Sequence, residues 1–412
     1  MKKRHILFII ENSSVPFDSR VWNEALAAKE FGYDVTVLNP VSKSCPLRYE
    51  KLEGIEIYRH PRIIEAKGIL GYVIEYSSAL LWELLFSLLI FVRKPFHVIH
   101  AANPPDHVFI IAVLYKIFGT KFIFDHHDLT PEAYLEKFGR KDLFYRIALL
   151  FDFLSLKIAD VVISTNESYK KVALKRGRRE KESVFVVRNG PNISRIIFKE
   201  PNPRIRHGFD FLVGYLGTMN NQDGIENLLR VAQIIVHEKG IKNIKFVLIG
   251  NGPEWERLVA LSREMGLESY VEFTGFIPYE ELYEIIATSD VCVNPEFRNE
   301  FTDKSTMIKI MEYMVFGKPI VQFRTTEGEI TAGEAAAYVE GNDLKLFAER
   351  ILELLNNPRT RGRMGEIGRR RICEKLSWNR QKIELRRAYE YIEKGQNTFY
   401  SANPSVYQQI ST

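Results

Sequence analysis

The densest chemistry in the chain lies in Asp303–Val321, Asp-Lys-Ser-Thr-Met-Ile-Lys-Ile-Met-Glu-Tyr-Met-Val-Phe-Gly-Lys-Pro-Ile-Val. Asp303, Ser305 and Thr306 are N-cap types, Gly317 is a helix stop and Pro319 follows it, so the spacing predicts a helix of about eleven residues. Its free N–H groups, positive dipole end, two hydroxyls and Lys304 together make a site for phosphate. Glu312 falls roughly 9 Å along the axis from Thr306, about the distance from a diphosphate to a nucleotide's ribose. A carboxylate there can accept both ribose hydroxyls.

A second constellation is Asp125-His126-His127-Asp128. It ends an apolar run read as a strand, and loops at the carboxyl ends of parallel strands are where ligands bind. A neutral imidazole at His127 can hydrogen-bond a ligand hydroxyl or help stabilise departing charge. Asp125, His126 and Asp128 could also be imagined around a metal, but neighbours on one loop rarely complete a coordination set, and the reading is no metal. Gly250-Asn-Gly-Pro-Glu254 places Gly250 and Gly252 between a strand and a helix, where backbone can approach a ligand closely. Ile277, next to Phe276, is a candidate wall for a base. Asp18 and Arg20 lie in the first strand-to-helix connection, where Arg20 either reaches a phosphate or an acceptor or forms an interdomain ion pair.

These residues need elements to position them. Apolar, β-branched runs at His5–Ile10, Val35–Leu38, Ile55–Tyr58, Val98–Ala101, Lys121–Asp125, Val161–Ser164 and Val184–Val187 read as strands. Helical patterns such as Arg20–Phe31 and Asp142–Ile158 separate them. After the polar stretch Asn192–Gly208 the alternation resumes, with strands Phe211–Leu216, Lys245–Ile249, Val271–Phe273, Val291–Val293 and Pro319–Phe323. Helices are expected near Gly224–Lys239, Glu254–Met265, Glu280–Ala287, Thr306–Phe316 and Leu344–Asn356. Wholly apolar strands alternating with helices imply α/β architecture, parallel sheets covered on both faces. Two doubly wound, Rossmann-like sheets facing a cleft follow.

Composition agrees. With 412 residues, 46% of them hydrophobic, the chain is globular and long enough for two or three domains. A balance of 57 basic against 52 acidic residues, +5, spread along the chain, excludes a dedicated nucleic-acid binder. The 3 cysteines are far apart and form neither a disulfide framework nor a zinc motif. The basic start followed by an apolar run that stops at Glu11 lacks a cleavage site, so Ile6–Ile10 reads as a buried first strand and a cytoplasmic location is expected. Ile69–Val92 is long enough to span a bilayer, but Glu75 and Glu83 fall on one stripe with Gly71, Ser78 and Ser87. That pattern leaves a core helix or a membrane-docking face, and Leu143–Leu156, bracketed by Arg140, Lys141, Arg146 and Lys157, invites the same question.

The chain resembles a glycosyltransferase of family 4, over roughly residues 4–393. The resemblance is carried by Pro16-Phe-Asp-Ser-Arg-Val-Trp22, Asn103-Pro-Pro-Asp106, Phe124-Asp-His-His-Asp128, Val187-Arg-Asn-Gly-Pro191, Ile249-Gly-Asn-Gly-Pro-Glu254, Lys304–Pro319 and Leu376-Ser-Trp378. It implies the two-domain GT-B architecture: an N-terminal acceptor domain over 1–195, a C-terminal nucleotide-sugar domain over 196–375, a helix over 376–394 returning to the first domain, and a polar tail over 395–412. It also implies retaining, metal-independent transfer, with His127 near the donor sugar and Glu312 at the ribose. The subset with Lys-Ser-Thr-Met and Glu-Tyr-Met resembles bacterial enzymes that build surface polysaccharides.

Two departures stand out. The first of the family's two helix-segment glutamates falls on Lys304. The first loop of the second domain, Gly214–Gly224, has Tyr215 and Asp223 where the family has a basic pair. Lys304 is therefore expected to supply the charge the loop has lost, assisted by Ser305 and Thr306 and by Gly217, Thr218 and Asn220 of that loop, with Asn103 and Asp128 toward the acceptor. The expected donor is a nucleotide sugar, UDP-linked first, and the acceptor a glycan or polyprenyl-linked glycan reached from the cytoplasm, with peripheral membrane contact at the inner face, and with no cofactor and no nucleic acid. A nucleotide-sugar epimerase and a non-catalytic nucleotide or carbohydrate binder are the alternatives.

Overall fold

A computed structural model describes residues 4–61 and 68–394. The tail Gly395–Thr412 lies outside the described residues. Two compact units are present, Met1–Asn189 with Gln381–Thr412 and Gly190–Arg380. They meet at 189/190 and 380/381, against the expected 195/196 and 375/376.

The first unit runs β1 (His5–Ile9), α1 (Ser19–Glu30), β2 (Asp34–Pro40), β3 (Tyr49–Leu52), β4 (Ile55–His60), α2 (Gly68–Arg93), β5 (Val98–Ala102), α3 (Phe109–Lys116), β6 (Lys121–His126), α4 (Thr130–Phe138), α5 (Leu143–Ile158), β7 (Val161–Ser164), α6 (Glu167–Arg176) and β8 (Val184–Val186). Its sheet has the order β3-β4-β2-β1-β5-β6-β7-β8 and is parallel except where β3 turns back on β4. Every residue of β1 is buried, as expected of a strand covered on both faces. β3 is not expected from the sequence. Its side chains alternate in exposure, and it joins β4 through Glu53-Gly54, both at positive φ, the requirement of a two-residue hairpin.

The second unit runs β9 (Phe211–Leu216), α7 (Ile225–Gln233), β10 (Ile244–Ile249), α8 (Trp255–Glu264), β11 (Val271–Gly275), α9 (Tyr279–Thr288), β12 (Val291–Asn294), α10 (Ile308–Val315), β13 (Ile320–Phe323), α11 (Thr326–Ala332), β14 (Ala336–Val339), α12 (Leu344–Leu355) and α13 (Pro358–Arg371). Its six strands, in the order β11-β10-β9-β12-β13-β14, are all parallel. The strand order reverses at β1 in one sheet and at β9 in the other, so the loops after those strands flank the crevices where such sheets take ligands. Buried apolar side chains cover both faces of the second sheet, including Leu229, Phe246 and Phe347 on one and Ile286, Met311 and Ile320 on the other.

Helix α14 (Trp378–Lys394) gives Gln381–Lys394 to the first unit. There the Tyr389 hydroxyl meets Nδ1 of the buried His100 at 2.8 Å, and Lys382 pairs with Glu30 at 2.6 Å.

Candidate functional site

In the first unit the candidate residues gather around Asp125, at the end of β6. Arg20, on the first turn of α1, is buried and grips it as a fork: Nη2 donates to Oδ1 at 2.8 Å and Nε to Oδ2 at 3.2 Å. Its Nη1 donates to the Val187 carbonyl and to Asn189 Oδ1, both at 2.7 Å. Arg20 therefore does not reach out to a phosphate or an acceptor. It ties β6 to the segment after β8 within one unit. Glu24, one turn on, lies 3.2 Å from the same guanidinium. Burial pushes the Glu24 carboxyl well up, whereas Asp125, despite its own burial, is held far below the usual range by Arg20 and His127.

Asp18 is the N-cap of α1, its Oδ1 accepting from the Val21 N–H at 2.9 Å. Asn103 is buried and accepts from the backbone N–H groups of His127 at 2.7 Å and Asp128 at 3.1 Å. Both shape the loop rather than face an acceptor. His127 Nε2 lies 2.6 Å from Asp125 Oδ2 and accepts from the Arg20 Nε–H at 2.7 Å, so the ion pair occupies that edge of the ring and the Nδ1 edge is turned away from it. Nδ1 has no hydrogen bond to any described residue.

His126 points the other way. Fully buried, it sits 3.2 Å from Asp152, which also binds Arg176; burial opposes its charge, but Asp152 and Asp106 raise its pKa overall. Asp125, His126 and Asp128 thus do not converge on one metal. A different trio, Glu24, Asp125 and His127, does bring ligand atoms together, and the cation among them is the Arg20 guanidinium. Asp128 is half-buried, with its pKa raised by desolvation.

In the second unit the helix of the Asp303–Val321 stretch is shorter than its sequence predicts. α10 begins at Ile308, with Met307 as an N-cap that makes no side-chain bond. The preceding residues are spent on a turn: Asp303 accepts from the Thr326 N–H at 2.8 Å and pairs with Arg298 at 2.9 Å, while the Ser305 hydroxyl donates to the Phe301 carbonyl at 2.9 Å. Lys304 therefore does not stand on the helix N-terminus. Its ammonium lies 3.2 Å from exposed Glu300, the acid one turn earlier. Thr306 is half-buried in the same connection.

The ammonium beneath the first loop is Lys309, which the sequence reading passed over. It is buried, 2.7 Å from Glu296, 3.8 Å from Asp223 and 3.2 Å from the Tyr215 hydroxyl. Tyr215 and Asp223, the two departures in the loop, are thus both partners of Lys309. Burial opposes the Lys309 charge, but Glu296 and its neighbours hold its pKa above the ordinary value. The signal was a lysine one residue into an otherwise apolar helical stripe.

The glycines of the first and second loops serve one another. At Gly250 (φ 129°) a Cβ would land on the Gly217 carbonyl, and at Gly252 it would meet the Met219 backbone. The expected close approach is between the loops themselves, not toward a ligand. Gly217 itself is left facing Lys309 and the Tyr215 hydroxyl. Asn220 and Asp223 cap one another's backbone in a short turn, and Thr218 is exposed.

Glu312 is different from the other carboxylates. It is half-buried on α10 and has no hydrogen-bond or ion-pair partner among the described residues. Desolvation pushes its pKa up to about 7, with Lys309 opposing. Beyond β11, Ile277 is half-buried against the core, whereas Phe276 is 89% exposed.

Family models match both units: residues 19–195 match the one described as Glycosyltransferase Family 4, and residues 210–357 the one described as Glycosyl transferases group 1. The chain is a family 4 glycosyltransferase. This glycosyltransferase is 26% identical over 186 residues to D-inositol 3-phosphate glycosyltransferase of Corynebacterium jeikeium, covering 43% of each chain. It is 24% identical over 241 residues to the capsular polysaccharide biosynthesis glycosyltransferase CapM of Staphylococcus aureus, covering 57% of this chain and 62% of that one. Both matches thus span less than two thirds of the relative. Among solved structures, sucrose-phosphate synthase from Thermosynechococcus elongatus superposes with a TM-score of 0.76 at 18% identity, over 96% of this glycosyltransferase and 100% of that chain. Anabaena HepE in complex with UDP-glucose does so with 0.70 at 14%, over 94% and 99%. The fold of the glycosyltransferase is GT-B.

Proposed function

We propose that this glycosyltransferase moves a sugar from a nucleotide-sugar donor held by the second unit to a glycan or lipid-linked acceptor, in the synthesis of a bacterial surface polysaccharide. The observation that carries the reading is the Glu312 carboxylate, desolvated yet without a side-chain partner among the described residues, at the position the family resemblance assigns to the donor's ribose. Ligand hydroxyls would supply the hydrogen bonds that stabilise its charged form. The exposed Phe276 ring is available to a base.

The chemical task is to stabilise negative charge developing on the departing diphosphate. We assign it to the backbone N–H groups around Thr306–Ile308 and to Lys304, whose ammonium lies 3.2 Å from exposed Glu300 in a pair worth at most about 1 kcal/mol. Lys309 holds the loop below, its own charge already matched by Glu296. In the first unit Asp125 orients His127 so that Nδ1 is offered to a sugar hydroxyl. No step calls for a metal or a nucleophilic carboxylate, and the product anomer is expected to keep the donor's configuration. UDP is the favoured nucleotide. That HepE and this chain share a fold and HepE was solved with UDP-glucose supports testing UDP first.

The test is a thermal-shift screen against UDP-, GDP- and dTDP-sugars, followed by Glu312→Gln. Binding of one donor class, weakened at least tenfold in the variant, supports the reading; equal affinity would sink it. Transfer that survives EDTA and gives a retained anomer by NMR supports the mechanism. One observation favours a second reading. Around the first loop two carboxylates, Glu296 and Asp223, face the single ammonium of Lys309, which suits a weak or non-catalytic nucleotide binder. Binding without transfer or hydrolysis across a broad acceptor panel would select it.

A further inference from the structure

Helix α2 is inside out. Its two carboxylates, Glu75 and Glu83, and Ser87 are buried, while Leu81, Leu85, Leu88 and Val92 stand in water on the opposite stripe. The inward side is bound to the fold: Tyr115 donates to Ser87 at 3.0 Å, His107 lies 3.4 Å from Glu83, and the helix packs on β2 and β4. A helix so anchored does not cross a bilayer, although Val73–Arg93 is long and apolar enough to do so by composition, with a mean hydropathy of 1.6.

The stripe continues across two neighbours. Phe91 of α2 meets Phe118, just past α3, with ring centroids 5.5 Å apart, and Phe109 of α3 meets Phe151 of α5 at 5.7 Å. On α3 Val113 and Ile117 are exposed, with Phe118 after it, and on α5 Leu143, Ile147 and Leu150 are exposed at helical spacing. Soluble surfaces rarely leave so continuous an apolar face uncovered.

Charge selects the occupant. All acidic residues of the three helices, Glu75, Glu83 and Asp152, are buried, whereas Arg93, Arg146 and Lys157 are exposed beside the apolar stripes. Apart from Ser77, the exposed residues described on the three helices are apolar or cationic, the combination that an anionic lipid surface takes, with the helices lying in its plane. A second copy of the chain would set these cations against each other. We propose that α2, α3 and α5 form a docking face for a bilayer containing anionic lipid. The inference stands apart from the transfer reading, since its readout is vesicle binding alone.

The full chain is to be floated with vesicles of phosphatidylcholine alone and of phosphatidylcholine with phosphatidylglycerol. Binding to the anionic vesicles is expected, weaker binding to the neutral ones, and release by high salt. Leu85→Glu/Ile117→Glu, at exposed positions and checked for folding by circular dichroism, should bind at least tenfold less. Arg146→Gln/Lys157→Gln should lose about fivefold per cation on anionic vesicles and nothing on neutral ones. Failure of the wild-type chain to bind either vesicle, or unchanged binding of both variants, overturns the proposal. So does a dimer in light scattering that Leu85→Glu/Ile117→Glu disperses, which would assign the face to a second copy.

Discussion

Single residues decide the electrostatics of the second unit, and two of them make opposite predictions. Glu312 titrates at about 7 in the folded chain and near 4.5 when exposed, so the fold favours its protonated form. Its contribution is neutral at low pH and becomes unfavourable as pH rises from the unfolded to the folded value, where it levels off. Glu312→Gln should therefore be more stable than wild type by about 1–3 kcal/mol near pH 8, with the difference vanishing toward about pH 4, read from urea melts across pH. Lys309 is the reverse case: Lys309→Met leaves Glu296 buried without its ammonium, and breaking such a pair costs about 3–5 kcal/mol. Lys304→Ala should leave the melt within about 1 kcal/mol, since its pair with Glu300 is exposed, and instead weaken donor binding by about 1–3 kcal/mol. Unchanged donor titration in that variant would remove Lys304 from the site. The position of Glu312 on the helix was open to sequence reasoning because residue type and spacing carried it, whereas Lys304, expected on the helix N-terminus, lies before it and pairs with Glu300. Lys309 was hidden because its burial depends on Glu296 and Asp223, which are distant in the chain and brought near only by the sheet.

Elements were legible where periodicity was strong and opaque where a side chain chose a tertiary partner over a local one. The buried strands follow from runs such as His5–Ile9 and Phe211–Leu216, and the parallel sheets from their alternation with helices. The start of α10 did not, because Asp303, a good N-cap by type, binds Thr326 and Arg298 instead. β3 was missed because a four-residue strand with alternating exposure leaves a weak pattern, and its turn is Glu-Gly rather than the stronger Asn-Gly. The glycines of the Gly250 loop were recognised as meaningful but assigned to ligand approach. Their contact with the first loop gives a test: Gly250→Ala combines a positive φ with a collision against the Gly217 carbonyl and should cost about 2–4 kcal/mol in urea unfolding. A cost below about 1 kcal/mol would show that the two loops separate easily.

At the scale of the whole molecule, the first unit is discontinuous in sequence. Leu385, Ala388 and Tyr389 of α14 are buried in it, and Tyr389 holds His100. Truncation after Arg380 should therefore destabilise the first unit and spare the second, giving two separated transitions by calorimetry where the intact chain shows a closer pair. An equal loss in both transitions would contradict the division. The placing of α14 also sets an order of events during synthesis. The ribosome delivers Met1–Asn189, then the whole of Gly190–Arg380, and only afterwards the strip that covers Tyr33 and His100. The second unit can be complete while the first still waits for its last helix, so a nascent chain passes through a stage with a finished half and an open one, and that open half is where a chaperone would find its handhold.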